Sequence, residues 1–262
     1  MDHRCRQRIA KRYDNVLQQG YVRSKLATDP VYAATAALLQ DSALPLLDIG
    51  CGIGLLGQYL NTQGRTRRYF GMDHDGRKIA AGRLAAQRGG LDDIMDLQHA
   101  DAADLPSVHG DVAVLDVLHY LPAARQADLL RAAVRHLAPD GRLIIRNVLR
   151  ENNWRFHATR IEEFFLHASG WMAGGAEHYP TAAELCRPME NAGLEVRIEP
   201  LRGRTPFNSY LIVASRQTGV KACIPPSHSD SPRAATRSGV GSAILRHAFV
   251  PTSVATHVAP FP

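Results

Sequence analysis

From residue 46 the chain reads Leu-Leu-Asp-Ile-Gly-Cys-Gly-Ile-Gly, so Asp48 is followed by glycines at 50, 52 and 54 around Cys51. Alternate glycines let a backbone turn sharply through positive φ and approach a ligand closely. A helix starting just beyond such a turn aims its unpaired N–H groups at whatever fills it. Asp48 stands where a carboxylate can face a bound ammonium group. Three further acids recur down the chain: Asp73, followed by His74, in YFGMDH; Asp101, followed by Ala102, in QHADAADLP; and Asp116, followed by Val117, in LDVLHYL. A carboxylate offers paired acceptors to adjacent hydroxyls. His119 can carry or release a proton near neutral pH, and Tyr120 beside it can hydrogen-bond or wall a cavity. His157, His167, His178, Glu162, Glu163 and Glu177 are further candidate bases.

The elements that must position these residues follow from the hydrophobic pattern. Residues 8–40 read as helix with a break at Asp29-Pro30. LPLLDIG is a buried strand ending at the glycine turn, and GLLGQYLN is the helix after it. RRYFGMD is a second strand and GRKIAAGRLAAQRGG a second helix closed by Gly89-Gly90. IMDLQHAD, DVAVLDVLHYL and RLIIRNVL supply three more strands, with a helix over ARQADLLRAAVRHLA. Such alternation predicts βαβ units and a parallel sheet. TAAELCRPMENAG carries a capping box, Thr181 with Glu184. LEVRIEPL and SYLIVASR then read as two strands joined in a hairpin-like way.

These motifs resemble the class I S-adenosylmethionine-dependent methyltransferases, in the stand-alone bacterial small-molecule type. Asp48, Gly50, Gly52 and Gly54 match the family's first motif, acid-x-Gly-x-Gly-x-Gly, over residues whose resemblance runs from about 8 to 215. The resemblance implies a Rossmann-like, doubly wound α/β sheet, mostly parallel with an antiparallel terminal strand pair and helices on both faces. It implies that the glycine loop with Cys51 holds the amino-acid part of S-adenosylmethionine. Asp73, with His74 beside it, would bind the ribose hydroxyls, Asp101 and Ala102 would lie by the adenine, and Asp116 and Val117 would line the methyl-donor cavity. His119 and Tyr120 are then the catalytic candidates, and Lys25 on the N-terminal helices a partner for the donor's carboxylate. No metal is implied, because the donor is already activated. Asp116 and Asn147 could contribute ligands, yet Arg146 intervenes.

A rival pattern overlaps this one. Gly52-Ile53-Gly54-Leu55-Leu56-Gly57 satisfies G-x-G-x-x-G, with Asp73 at about the spacing of a dinucleotide-binding acid. An NAD(P)-dependent oxidoreductase therefore stays open, as does an RNA or protein methyltransferase. Against the oxidoreductase, Asp48 and Gly50 precede the pattern where an apolar strand is expected. Against the RNA or protein enzyme, the fourth strand continues as DVLHYLP and lacks an Asn/Asp-Pro-Pro-aromatic signature.

Composition narrows the field further. In 262 residues, 45% are apolar and 21% charged, as in ordinary soluble domains. No apolar run reaches the roughly 20 residues of a membrane span, and a cytoplasmic setting is expected. Cys5, Cys51, Cys186 and Cys223 are scattered, without the pairing of a zinc site or disulfide framework. Of the net +6, the stretch from Arg216 onward holds +4, so no basic stripe marks a nucleic-acid surface. The expected organisation is a helical cap over 1–40, a methyltransferase core over 41–215 with a substrate lid at about 151–180, and a disordered tail over 216–262. The lid stretch carries Arg150, Arg155, Arg160, Trp154, Phe156, Phe164, Phe165 and Trp171, with Arg146 just before it and Arg202 and Arg204 after. Aromatic walls with guanidinium groups suit an aromatic acid or an acyl chain on an acidic carrier protein.

Overall fold

Three short helices lead into the alternation of strands and helices. In the computed structural model residues 1–101, 104–151, 156, 175–203 and 208–216 are described, and structural statements concern these. The described residues all lie within the unit Met1–Gly219. Helix α1 (His3–Ala10) begins where Asp2 caps the Cys5 N–H at 2.7 Å, earlier than the helix read from Arg8 onward. Asn15 caps α2 (Val16–Thr28) through the Gln18 N–H. That helix stops at Asp29, whose extended ψ of 117° is what a following proline imposes, and α3 (Val31–Leu38) restarts beyond Pro30.

Strands β1 (Leu46–Ile49), β2 (Tyr69–Asp73), β3 (Met95–His99), β4 (Asp111–Leu115) and β5 (Arg142–Val148) alternate with α4 (Leu55–Thr62), α5 (Gly76–Arg88) and α6 (Ala123–Arg135). After α7 (Ala182–Glu190), whose Thr181–Glu184 capping box forms as expected, come β6 (Leu194–Pro200) and β7 (Ser209–Arg216). The seven strands lie in the order β3-β2-β1-β4-β5-β7-β6. All pairings among β1 to β5 are parallel, whereas β7 runs antiparallel to both β5 and β6. This is the expected mostly parallel α/β sheet with its antiparallel terminal pair.

Both faces of the sheet are covered. The four residues of β1 are all buried, as a central parallel strand requires. Alternate residues feed two cores: Leu46, Ala113 and Ile144 pack on the side of α1 to α5, while Leu47, Val112, Val114, Leu143 and Ile145 pack toward α6 and α7. The opposite strand ends are locked by buried Asp111, which accepts from Arg67 at 3.0 Å, Ser42 Oγ at 2.5 Å and the Arg142 N–H at 2.9 Å. No helix among the described residues is long and apolar enough to cross a membrane.

One strand is shorter than expected. The fourth stops at Leu115, because Asp116 takes φ +60 and the chain enters a single 3-10 turn over Leu118–Tyr120. The Asp116 N–H keeps the last rung of the ladder, donating to the Arg146 carbonyl at 2.9 Å. Beyond it the backbone breaks away and carries His119 over the carboxyl end of the sheet.

Candidate functional site

The strand order reverses between β1 and β4, and in open α/β sheets that crevice is where ligands bind. The glycine hinge sits there. Gly50, Gly52 and Gly54 have φ of +77°, +57° and +71°. The Gly50 and Cys51 N–H groups donate to the Met72 carbonyl at 2.8 and 2.9 Å, tying the turn to β2. Gly54 caps α4 in the left-handed conformation with no side chain over the helix end. The glycines differ in what crowds them. A Cβ on Gly50 would lie 2.2 Å from Val117 Cγ2, whereas one on Gly52 would meet nothing within 4 Å. Gly50 therefore packs inward against the β4 exit and Gly52 faces open space. Gly50→Ala combines positive-φ strain with that overlap and is expected to cost about 2–4 kcal/mol in urea unfolding. Val117→Ala in the same chain should return part of it; a Gly50→Ala chain as stable as the parent would contradict this hinge.

Asp73 closes the cradle. It is 7% exposed; its Oδ2 accepts from the Gly52 N–H and its Oδ1 from the Asp75 N–H, both at 2.9 Å. Each oxygen keeps further accepting capacity. His74 points outward, its Nδ1 3.5 Å from Asp73 Oδ1. Asp48 lies deeper, at 2% exposure, with one oxygen taking the Tyr69 hydroxyl and the other, Oδ1, buried without a hydrogen-bond partner. Burial pushes the Asp48 carboxyl up to about 7; the Tyr69 hydrogen bond works against this and the nearby Asp73 charge adds to it. Burial likewise raises the Cys51 thiol well above its usual range. Asp101 stands exposed past the end of β3, 3.2 Å from Arg125. Ala102 lies outside the described residues.

Asp116 belongs to a network that the sequence did not suggest. Its carboxylate pairs with Arg146 and lies 3.8 Å from Lys25 Nζ. Asp29, at the end of α2, pairs with Lys25 at 2.9 Å and Arg146 at 3.2 Å, and Ser209 Oγ is 3.3 Å from Arg146. Burial works against the Arg146 charge, yet the two carboxylates outweigh it and hold its pKa above the usual value. Lys25 is thus committed to Asp29 and Asp116, where the sequence suggested a partner for a ligand carboxylate. Arg146, grouped above with the lid arginines, is a buried strand residue. The network fastens the N-terminal helices to the carboxyl ends of β4 and β5.

His119 is 2% exposed and pairs through Nδ1 with Asn147 Oδ1 at 2.9 Å. The Asn147 amide nitrogen donates to the Val148 carbonyl at 2.8 Å, so its oxygen must face the ring and accept. Nδ1 therefore donates to Asn147. Tyr120 tilts against the ring with centroids 4.1 Å apart, and Tyr179 stacks parallel to it at 6.1 Å. The His119 carbonyl accepts the Glu177 N–H at 2.9 Å. His178 contributes its carbonyl to Gln126. On the N-terminal side the Tyr13 hydroxyl donates to the Ile53 carbonyl at 3.0 Å, placing that helix pair against the hinge. Among the described residues no three His, Cys, Asp or Glu side chains come together as a metal site requires. His157, His167, Glu162, Glu163, Trp154, Arg155, Arg160, Phe164, Phe165, Trp171, Arg204 and the tail beyond Arg216 lie outside the described residues. Sequence reasoning missed Tyr69 and the pairing role of Asn147; strand alternation was the available signal for both.

Residues 47–143 match the family model described as a methyltransferase domain. Over 154 residues the chain is 28% identical to the ubiquinone biosynthesis O-methyltransferase of Aeromonas salmonicida (strain A449), covering 58% of this chain and 63% of that protein. Over 112 residues it is 30% identical to a probable cobalt-precorrin-6B C(15)-methyltransferase (decarboxylating) of Methanothermobacter thermautotrophicus, covering 41% and 54%. The chain thus spans less than two thirds of these curated relatives. The crystal structure of magnesium protoporphyrin IX methyltransferase from Synechocystis PCC 6803 with bound SAH superposes with a TM-score of 0.58 at 18% identity, over 80% of this chain and 92% of that one. The segment matched by the methyltransferase-domain model carries the glycine hinge at the switch point of a 3-2-1-4-5-7-6 sheet.

Proposed function

We propose that the chain transfers a methyl group from S-adenosylmethionine to a small-molecule acceptor, aromatic or acidic, at oxygen or carbon. The observation that carries this is the hinge itself: three consecutive alternate glycines at positive φ, with the Gly52 N–H bonded to Asp73 and an open space beside Gly52. The relatives' names supply one O- and one C-methylation. The dinucleotide alternative fits the sheet less well, since a dinucleotide fold continues in parallel through its sixth strand, whereas β7 runs antiparallel between β5 and β6.

Bound at the hinge, S-adenosylmethionine supplies a methyl group already activated by its sulfonium. The free N–H groups opening α4 hold the amino-acid end, the loop at Gly50, Cys51, Gly52 and Gly54 forms its close backbone wall, and the unpartnered oxygen of Asp48 is the acceptor beneath. Asp73, with His74 alongside, takes the ribose hydroxyls. Asp101 and Ala102 flank the base, and Asp116 and Val117 form the wall beside the reacting carbon. For a hydroxyl acceptor, His119 removes the proton while Asn147 holds its ring through Nδ1–H, and Tyr120 orients the acceptor. Alignment and exclusion of water supply the rest. The same reading takes residues 1–40 as cap, 41–215 as catalytic core, about 151–180 as acceptor lid and 216–262 as tail, in a cytoplasmic enzyme whose acceptor is free or carried by an acidic protein.

Incubating the full chain with methyl-tritiated S-adenosylmethionine and a panel of hydroxybenzoates, catechols and hydroxylated tetrapyrroles tests this. Label should move to at least one member in proportion to enzyme. A chain that binds the donor and labels none of them, but labels RNA or protein, would overturn the small-molecule assignment.

A further inference from the structure

The described residues expose three large apolar side chains, Val16 at 77%, Leu17 at 70% and Tyr21 at 37%, and all three lie on α2. Exposed cations lie on and beside the same two helices. The first 28 residues hold seven Lys and Arg against two Asp, with Lys25 among the seven spent on Asp29 just beyond them. On α1 and its C-cap, Arg4, Arg8 and Lys11 are exposed at spacings of four and three residues, which puts them on one face. Arg23 is exposed on α2. Of the two acids, Asp14 is paired with Arg88 of α5, and Asp2 caps the far end of α1. The opposite faces are anchored: Ile9, Ala10, Tyr13, Val22 and Leu26 are buried in the core. The outward orientation of the cations and of Val16-Leu17 is therefore set by packing.

We infer that this N-terminal pair of helices is a docking surface for an anionic lipid bilayer. Val16 and Leu17 are the most exposed large apolar side chains among the described residues, in the first turn of α2. A folded protein partner of ordinary size needs about 800 Å² of packed contact on each side. A bilayer needs only a few aliphatic side chains at the acyl boundary and cations at the headgroups. Each Lys or Arg near such a surface strengthens binding by about fivefold. The inference concerns binding alone and stands apart from the methyl-transfer reading.

Co-sedimentation of the full chain with vesicles tests it, using phosphatidylcholine alone and phosphatidylcholine mixed with phosphatidylglycerol. The chain should bind the phosphatidylglycerol vesicles and not the neutral ones. Val16→Ser with Leu17→Ser should weaken binding at least about tenfold. Arg4→Gln, Arg8→Gln and Lys11→Gln together should weaken it about 100-fold. All these side chains are exposed, and unchanged thermal unfolding would confirm that both variants fold. Equal binding of parent and variants would place the contact on another segment and overturn the inference. So would absence of binding to phosphatidylglycerol vesicles, including the case where the chain instead associates with an acidic carrier protein.

Discussion

Asp73→Ala is expected to weaken binding of S-adenosylhomocysteine by about 10²–10⁴-fold while leaving a folded protein. The magnitude follows from losing two charge-assisted hydrogen bonds to vicinal hydroxyls, each about 1.5–3 kcal/mol, partly offset by water entering the gap. The same carboxylate also takes the Gly52 and Asp75 N–H groups, so the variant should lose a further ~1 kcal/mol of stability as the loop loosens. Asp73→Asn retains one acceptor and should fall between the two. A ligand-dependent thermal shift compared across parent, Asn and Ala reads both effects, because a ligand that binds only the native state stabilises it by an amount that grows with the logarithm of ligand concentration over Kd. An unchanged shift in the alanine variant would remove Asp73 from ribose binding.

His119→Gln is expected to lower turnover on a hydroxyl acceptor by about 10²–10⁴-fold with donor affinity unchanged, the range for loss of a general base. The buried ring is held at one nitrogen by Asn147 and packed between Tyr120 and Tyr179, so its orientation is set before an acceptor arrives. Asn147→Leu should leave the base in place but release its tautomer. Turnover then falls by about tenfold, with donor affinity unchanged. Loss of less than about threefold in His119→Gln would show that proton removal is not assigned to this residue.

The parts of this molecule that were legible in advance were local ones. The glycine hinge and Asp73 announce themselves because positive φ and a helix N-terminus need particular residue types at fixed offsets. The capping box at Thr181 and the break at Asp29-Pro30 are equally local. The terminal antiparallel pair could be read from two short strands close in sequence. The details that escaped depend on register across the sheet. Asp48 lies opposite Gly71 on β2, which offers no side chain, so Tyr69 from the same face reaches its carboxylate. Arg146 and Asn147 are adjacent on β5 and face opposite ways, one into the Asp29–Asp116–Lys25 network and the other onto His119. Composition grouped Arg146 with the aromatic, arginine-rich stretch that follows, whereas the pleat turns it toward Asp29 and Asp116. The early end of β4 was hidden for a related reason. Val117, Leu118 and Leu121 are apolar enough to prolong a strand, and the turn is imposed by Asp116 at positive φ.

Titration calorimetry of the full chain with S-adenosylhomocysteine, and separately with NAD and NADP, addresses the hinge most directly. One adenosyl-sulfur ligand per chain should bind with measurable heat, the Asp73→Ala chain should give none at the same concentrations, and neither dinucleotide should register. Heat with a dinucleotide and silence with S-adenosylhomocysteine would mean that the cradle between Gly50 and Asp73 was built for hydride chemistry.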